Sequence, residues 1–351
     1  MPNLFTQMFS KTNILVGYIS AIAFLFFSVV IGIAVGSVPI PFLDVVTILG
    51  KEWMGLPLAT EIDVMYINIV MEIRFPRVLL AMFVGGALAL AGAAFQGFLK
   101  NPLADPYTLG VSSGAAVGAV AVMFFGITLP FLGFYTLPVI SIIAGFFTLF
   151  LVIFFARALN RSMAAHTVIL VGIILSSFLG SFISLMIALT GEELRQIIGW
   201  LMGSVSMRGW SYVYLIAPFF LAGFLILLFN AKELNALAFG EETAKHLGVN
   251  IQARKMMILF GAALLTGSAV AVSGTIGFVG LVIPHLTRLI WGPDHRHLLP
   301  LSVLIGGGFL VLTDLVARTL IAPTELPIGV ITALVGGPVF AIILIRQRHR
   351  L

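Results

Sequence analysis

Residues 77–100 read RVLLAMFVGGALALAGAAFQGFLK, with 22 consecutive uncharged residues between Arg77 and Lys100. A helix needs about 20 mostly apolar residues to cross a hydrocarbon layer roughly 30 Å thick, so this stretch reads as a membrane span. The same test, carried outward, finds more. Uncharged runs of 32 residues between Lys11 and Asp44, 30 between Arg161 and Glu192, and 23 between Arg208 and Lys232 each hold one helix. The 51 residues between Asp105 and Arg157 are interrupted by Gly126, Pro130, Gly133 and Pro138, and read as two helices joined by a turn. The stretch 256–287 breaks at Ser273-Gly274-Thr275-Ile276-Gly277 and also reads as two. The second of these is so short that hydropathy alone leaves its crossing open. Two further spans close the chain.

The expectation is an all-α polytopic membrane protein, a single domain over 1–351, with ten helices near 14–36, 77–99, 108–126, 137–157, 165–189, 210–230, 254–273, 277–291, 297–320 and 327–346. Composition agrees: 60% of the 351 residues are apolar and 9% charged, against roughly 45–50% and 25% in soluble domains. No soluble lobe can be cut out. The apolar run after Lys11 is too long for a signal-peptide core, so it reads as an uncleaved first span.

The 19 Lys and Arg against 14 Asp and Glu give a net charge of +5, which in a membrane protein bears on topology before it bears on nucleic acid, and no nucleic-acid partner is expected. With both termini cytoplasmic, thirteen of the nineteen basic residues fall inside: Lys11, Lys100, Arg157, Arg161, Lys232, Lys245, Arg254, Lys255, Arg288, Arg296, Arg346, Arg348 and Arg350. Lys51, Arg74, Arg77, Arg195, Arg208 and Arg318 fall outside with nine of the fourteen acids. The bias supports ten spans, since nine would put the basic tail outside. Trp200, Trp210 and Trp291 sit near predicted span ends, where the headgroup zone favours them.

The absence of cysteine removes disulfides, thiolate nucleophiles and iron–sulfur clusters. Asp294, between Pro293 and His295, fits a helix cap better than a metal site with His295 and His297. Gly50-Lys51 is followed by Glu52 rather than a hydroxyl residue, so no nucleotide-binding loop is present and the chain itself is not expected to hydrolyse ATP.

Small residues recur every fourth position in three spans, a spacing that lets backbones approach where lipid removes the hydrophobic drive between helices. Gly85, Ala89, Ala93 and Gly97 form one ridge, and Gly110, Gly114 and Gly118 a second, both read as packing. Gly172, Ser176, Gly180 and Ser184 form a third, which Ser177 and Ser181 widen into a polar stripe. Helix packing and a water-accessible path are both open readings of it. Asp314 and Arg318, four apart, are placed to pair with each other, in a structural or a functional role. Glu241 and Lys245 share the same spacing on a short helix in the longest cytoplasmic loop, where spacing alone favours a solvated element.

The motifs Arg74-Phe75-Pro76-Arg77, Gly85-Gly86-Ala87-Leu88-Ala89-Leu90-Ala91-Gly92 with Gln96, Asn101-Pro102-Leu103-Ala104-Asp105-Pro106 and Leu109-Gly110-Val111-Ser112-Ser113-Gly114-Ala115 follow one another in the chain. The run 277–285 (GFVGLVIPH), Asp294-His295-Arg296 and Glu325-Leu326-Pro327-Ile328-Gly329-Val330 continue the series. In these, over about 14–346, the sequence resembles the permease subunits of ABC importers for iron–siderophores, haem and vitamin B12.

That resemblance implies a homodimer around a translocation path, two ATP-binding cassette ATPase subunits below, and an extracytoplasmic substrate-binding protein docking above, in a bacterial or archaeal cytoplasmic membrane. ATP and Mg²⁺ would be held by the ATPases, with no cofactor or metal in this chain. It implies that the path is lined by Gly172, Ser176, Ser177, Gly180, Ser181 and Ser184, and that the segment 235–248 is an ATPase-coupling element. Leu237, Ala238, Phe239, Gly240, Glu241, Glu242, Ala244, Leu247 and Gly248 would carry that coupling. Arg74, Arg77 and Arg318 match the outward arginines that meet the binding protein, a role suited to guanidinium groups on an exposed rim. The cargo implied is a metal chelate, a ferric siderophore before haem or cobalamin. An ion-coupled secondary carrier is the alternative, weakened because no span carries the buried carboxylate or histidine chain such carriers use. A structural scaffold is the third reading.

Overall fold

The computed structural model describes residues 11–36, 38–55, 62–160 and 163–348. Arg161, Arg350 and Glu61 of the charge count lie outside them. Seven helices are long and apolar enough to cross a membrane, and three shorter apolar ones, Val111–Phe124, Val279–Trp291 and Ile328–Ile343, bring the set to ten among the described residues.

In chain order, the helices are α1 (Lys11–Ala34), α2 (Phe42–Met54), α3 (Val64–Leu99), α4 (Val111–Phe124), α5 (Thr136–Leu159), α6 (Ala165–Leu189) and α7 (Leu194–Leu201). There follow α8 (Gly209–Phe229), α9 (Ala231–Ala238), α10 (Glu241–His246), α11 (Ile251–Ser273), α12 (Val279–Trp291), α13 (His295–Thr319) and α14 (Ile328–Arg348).

The span expected from residue 77 starts earlier, at Val64. Asp63 caps it, its carboxylate accepting from the Met65 N–H at 2.9 Å. A π-helical stretch, Ile69–Arg74, then carries the rod past Pro76. Proline has no N–H to give to the turn before it and its ring needs room there, and the wider π turn supplies that room. Charge and proline therefore looked like an end where the helix in fact continues. A second unforeseen element is α2, whose 13 residues cannot cross the bilayer. It buries Val45 and Ile48 while Phe42, Leu43 and Val46 remain exposed.

Helices α3 and α11 form the centre, with α1, α6 and α8 at the periphery. The glycine ridges act where backbones meet. A Cβ on Gly85 would lie 2.2 Å from the Gly306 carbonyl of α13, and one on Gly92 would lie 1.9 Å from the Gly280 carbonyl of α12. On Gly114 it would lie 2.0 Å from Thr148 of α5. Packing this close substitutes dispersion for the missing hydrophobic drive.

Between the outer rim and the middle of the bundle, three irregular segments knit together. Ser204 N–H donates to Ser273 O at 2.7 Å, Ile328 N–H to Gly203 O at 3.0 Å, and Gly329 N–H to Met202 O at 3.1 Å. Unwound backbone inside a membrane protein survives only when its polar groups find such partners. Gly274, at φ +72°, is required here, since a Cβ would lie 2.0 Å from Trp200 O. Trp200 itself is buried against α4 rather than placed in the headgroup zone, because α7 folds inward.

Candidate functional site

The Gly and Ser stripe of α6 divides into two parts. At its lower end Gly172 is buried, and a Cβ there would lie 2.4 Å from Thr108 O in the 3₁₀ turn Pro106–Leu109. Ser176 donates to Tyr107 O of the same turn at 3.5 Å. Further along, Ser177, Ser181 and Ser184 are exposed, and nothing lies within 4 Å of a Cβ built on Gly180. Ser181 donates back to Ser177 O at 3.1 Å, which leaves its oxygen free to accept from the exposed side. The stripe therefore packs at one end and leaves an open, weakly polar face at the other.

The turn that holds α6 also holds the irregular junction. Tyr107 Oη accepts from Ile276 N–H at 2.6 Å, and Pro106 closes on Gly280. Asp105 caps the turn, accepting from Tyr107 N–H at 3.0 Å. Burial pushes the Asp105 carboxyl up to about 6 against the lowering effect of that hydrogen bond, and burial together with the neighbouring Asp105 also raises the Tyr107 phenol. Phe278, at φ +68°, stands at the start of α12 against Gly336 of α14. A left-handed phenylalanine is rare and marks a backbone held by its surroundings.

The three arginines expected on the outer side do not form an exposed rim: Arg74, Arg77 and Arg318 are 3%, 8% and 5% exposed. The early start of α3 places the first two within the helical bundle. Arg77 grips Asp314 through Nη2 at 2.8 Å and Nε at 3.0 Å, and reaches Glu325 with Nη1 at 2.7 Å. Arg74 donates to Ile33 O at 3.1 Å and Ala34 O at 2.8 Å, and also to Val38 O. Arg318 donates to Gly32 O. Its distance to Asp314 is 3.8 Å, so the expected i,i+4 pair is secondary to Arg77–Asp314. Burial raises the Glu325 carboxyl, but the Arg77 hydrogen bonds outweigh this and hold it below the usual carboxylate range.

At the opposite end, α9 and α10 form the segment singled out for coupling. Leu237 and Ala244 are buried and anchor it, while Ala238, Gly240, Glu241, Glu242 and Gly248 surround two projecting side chains. These are Phe239, 78% exposed, and Leu247, 68% exposed. Glu241 pairs with Lys255 of α11 at 2.8 Å rather than with Lys245. A residue of a neighbouring helix thus wins over the i+4 partner and ties α10 to the core. Asp294 caps α13 as expected, accepting from Arg296 N–H at 3.0 Å. Hydrogen bonds from Arg296 hold its carboxyl well below the usual range.

A long buried rod, a knitted junction, one open small-residue face and an anchored segment with apolar knobs are the structural features to be matched. The model of the FecCD transport family matches residues 24–346. The chain belongs to this family. An uncharacterised ABC transporter permease protein of Bacillus subtilis, YvrB, is 59% identical over 350 residues, 100% of this chain and 99% of the relative. The cobalamin import system permease protein BtuC of Halobacterium salinarum is 43% identical over 285 residues, 80% of this chain and 74% of the relative. Among solved structures, a metal-chelate type ABC transporter in an inward-facing conformation superposes with a TM-score of 0.81 at 34% identity, covering 93% of this chain and 98% of that one. The chain is therefore a multi-pass membrane permease of the ABC transporter class.

Within that family frame, sequence reasoning missed the junction. Ser273-Gly274-Thr275-Ile276-Gly277 signalled a break, yet nothing in it named Tyr107 or the 202–204 segment as partners. Ser206, which accepts from Arg77 at 3.3 Å, was equally silent. The one available signal was the aromatic residue in Pro106-Tyr107-Thr108-Leu109, a Tyr at the edge of a charge-poor span that needs a partner for its hydroxyl.

Proposed function

We propose that this permease imports a metal chelate, with a ferric siderophore as first candidate and haem and cobalamin as alternatives, by ATP-driven alternating access. Two copies of the chain pair so that the open faces of α6 line a path between them. Two ATPase subunits bind the α9–α10 segments and hold ATP and Mg²⁺, and a substrate-binding protein delivers cargo at the outer end. The membrane is the cytoplasmic membrane of a bacterium or archaeon, with both termini cytoplasmic. The chain does no chemistry on its cargo.

One observation carries this reading: α6 is anchored at Gly172 and Ser176 and open at Ser177, Gly180, Ser181 and Ser184. A face of hydroxyls and hydrogens suits a bulky polar chelate, because strong ligands would hold it and slow its release. The arginine cluster has a supporting part here. Arg74, Arg77 and Arg318 fix the ends of α1, α3 and α13 beneath the docking surface, and the surface itself is formed by what they hold in place.

Uptake into proteoliposomes tests the proposal. Ferric siderophore accumulation that needs the cognate ATPase, binding protein and ATP, and persists with an uncoupler, is the expected result. Collapse on uncoupling would favour an ion-coupled carrier instead.

A further inference from the structure

The end of the bundle that carries the coupling segment also holds a cavity of about 380 Å³, bounded by the last turn of α3, by α12 and by Ala238 at the end of α9. Its polar wall is cationic. Arg288 and Lys100 line it, no acidic residue does, and among the described residues neither forms an ion pair. Arg288 is half-buried and gives one N–H to Gln96 Oε1 at 2.9 Å, which leaves most of its five donors unused. Gln96 is committed elsewhere as well, its Nε2 donating to Leu281 O at 3.0 Å, so it holds the guanidinium in place. Asn101, whose Oδ1 is taken by the Leu103 N–H at 2.9 Å, adds an amide donor to the same wall. A guanidinium withdrawn from water without a counter-charge is unfavourable unless an anion joins it.

An independent feature completes the wall. His295 is 4% exposed and lines the cavity, and its Nδ1 lies 2.7 Å from Asn235 Oδ1. Asn235 Nδ2 donates to Asp294 at 2.7 Å, which turns Oδ1 toward the ring and makes Nδ1 the protonated nitrogen. Nε2 then carries a lone pair with no partner, beside Gly97, where even a Cβ would lie 2.2 Å from it. The wall therefore offers several donors for an oxyanion, while His295 Nε2 is closed off against Gly97.

We propose that this cavity binds a phosphate-class oxyanion, its charged oxygens on Arg288, Lys100 and Asn101. Both hydrogen phosphate and the head group of a glycerol-bearing anionic phospholipid have that chemistry. The exposed Leu289 and Ile290 of α12, next to the site, are positioned for acyl chains in the second case. Occupancy would brace α9 against α3 and α12, and so stiffen the segment that bears Phe239.

The test uses the full chain in phosphatidylcholine nanodiscs, read by thermal unfolding. One arm titrates inorganic phosphate against chloride at equal ionic strength, and the other replaces part of the bilayer with phosphatidylglycerol. A rise in Tm in the phosphate arm identifies a soluble anion, and a rise in the lipid arm identifies a head group. Either supports the proposal if Lys100→Gln, at an exposed position that leaves the Arg288–Gln96 bond intact, weakens the apparent affinity about tenfold, as loss of one charge-assisted contact should. Arg288→Gln should abolish the response. No rise in either arm, or the same rise in wild type and Lys100→Gln, overturns the proposal.

Discussion

Arg77 decides how one end of the molecule is built. Its guanidinium is shared between Asp314, 1% exposed, and Glu325. Removing one partner of a buried pair leaves the other charge stranded, which typically costs about 3–5 kcal/mol. Arg77→Gln should therefore lower Tm sharply in detergent, and adding Asp314→Asn should restore part of the loss; a double variant no more stable than the single would show that the pair is not the source. Asp105 gives the opposite case, a half-buried carboxyl that forms no ion pair among the described residues. Its carboxyl is raised from the ordinary 3.8 to about 6, so the folded chain holds this proton more tightly than the unfolded one. That contribution is full below about pH 4 and is lost as pH rises through about 6. Asp105→Asn keeps an oxygen to cap Tyr107 and removes the charge. It should unfold at a higher temperature than wild type at pH 7–8 and no differently near pH 4, a contrast thermal scans across pH would check.

Helix α6 shows how one element serves two ends. Its sequence spacing was legible, since Gly172, Ser176, Gly180 and Ser184 fall on one face, but which of them pack depends on the turn 106–109, remote in the chain. The same change at two points separates the roles. Gly172→Leu drives a side chain into Thr108 O and should abolish folding or assembly, seen as loss of a monodisperse peak on size exclusion. Gly180→Leu meets open space in the subunit and should assemble normally while blocking uptake; normal uptake by that variant would remove α6 from the path. Legibility fails in the same manner elsewhere. Charge-free length located the long apolar helices, because the bilayer sets it locally, and left the crossing of α12 open. It could not see that α3 runs through Pro76, which follows from a π turn, or that Arg74 and Arg77 turn inward, which follows from carbonyls about 40 residues earlier for Arg74 and from acids more than 200 residues away for Arg77.

For the whole molecule, the structure links its two ends through continuous rods. Arg77 lies in the first half of α3, and Gln96 and Gly97 near its C-terminal end with Lys100 just beyond, beside Ala238 and the projecting Phe239. A helix buried for most of its length thus runs between the end that bears the knobs and the arginine cluster. On the proposed function, Phe239 and Leu247 are the sites at which an ATPase would act on the chain. Their exposure means that Phe239→Asp with Leu247→Asp should leave the subunit folded, unlike Leu237→Asp, whose side chain is 2% exposed and anchors α9. Large apolar anchors at the centre of an interface are often worth 2 kcal/mol or more each, roughly thirtyfold in affinity. The double variant should therefore lose co-purification with the ATPase and lose ATP-dependent uptake together, with its own Tm unchanged. Retained association and uptake at unchanged Tm would mean that force enters elsewhere, and that α9 and α10 are a solvated loop, as their spacing alone suggests.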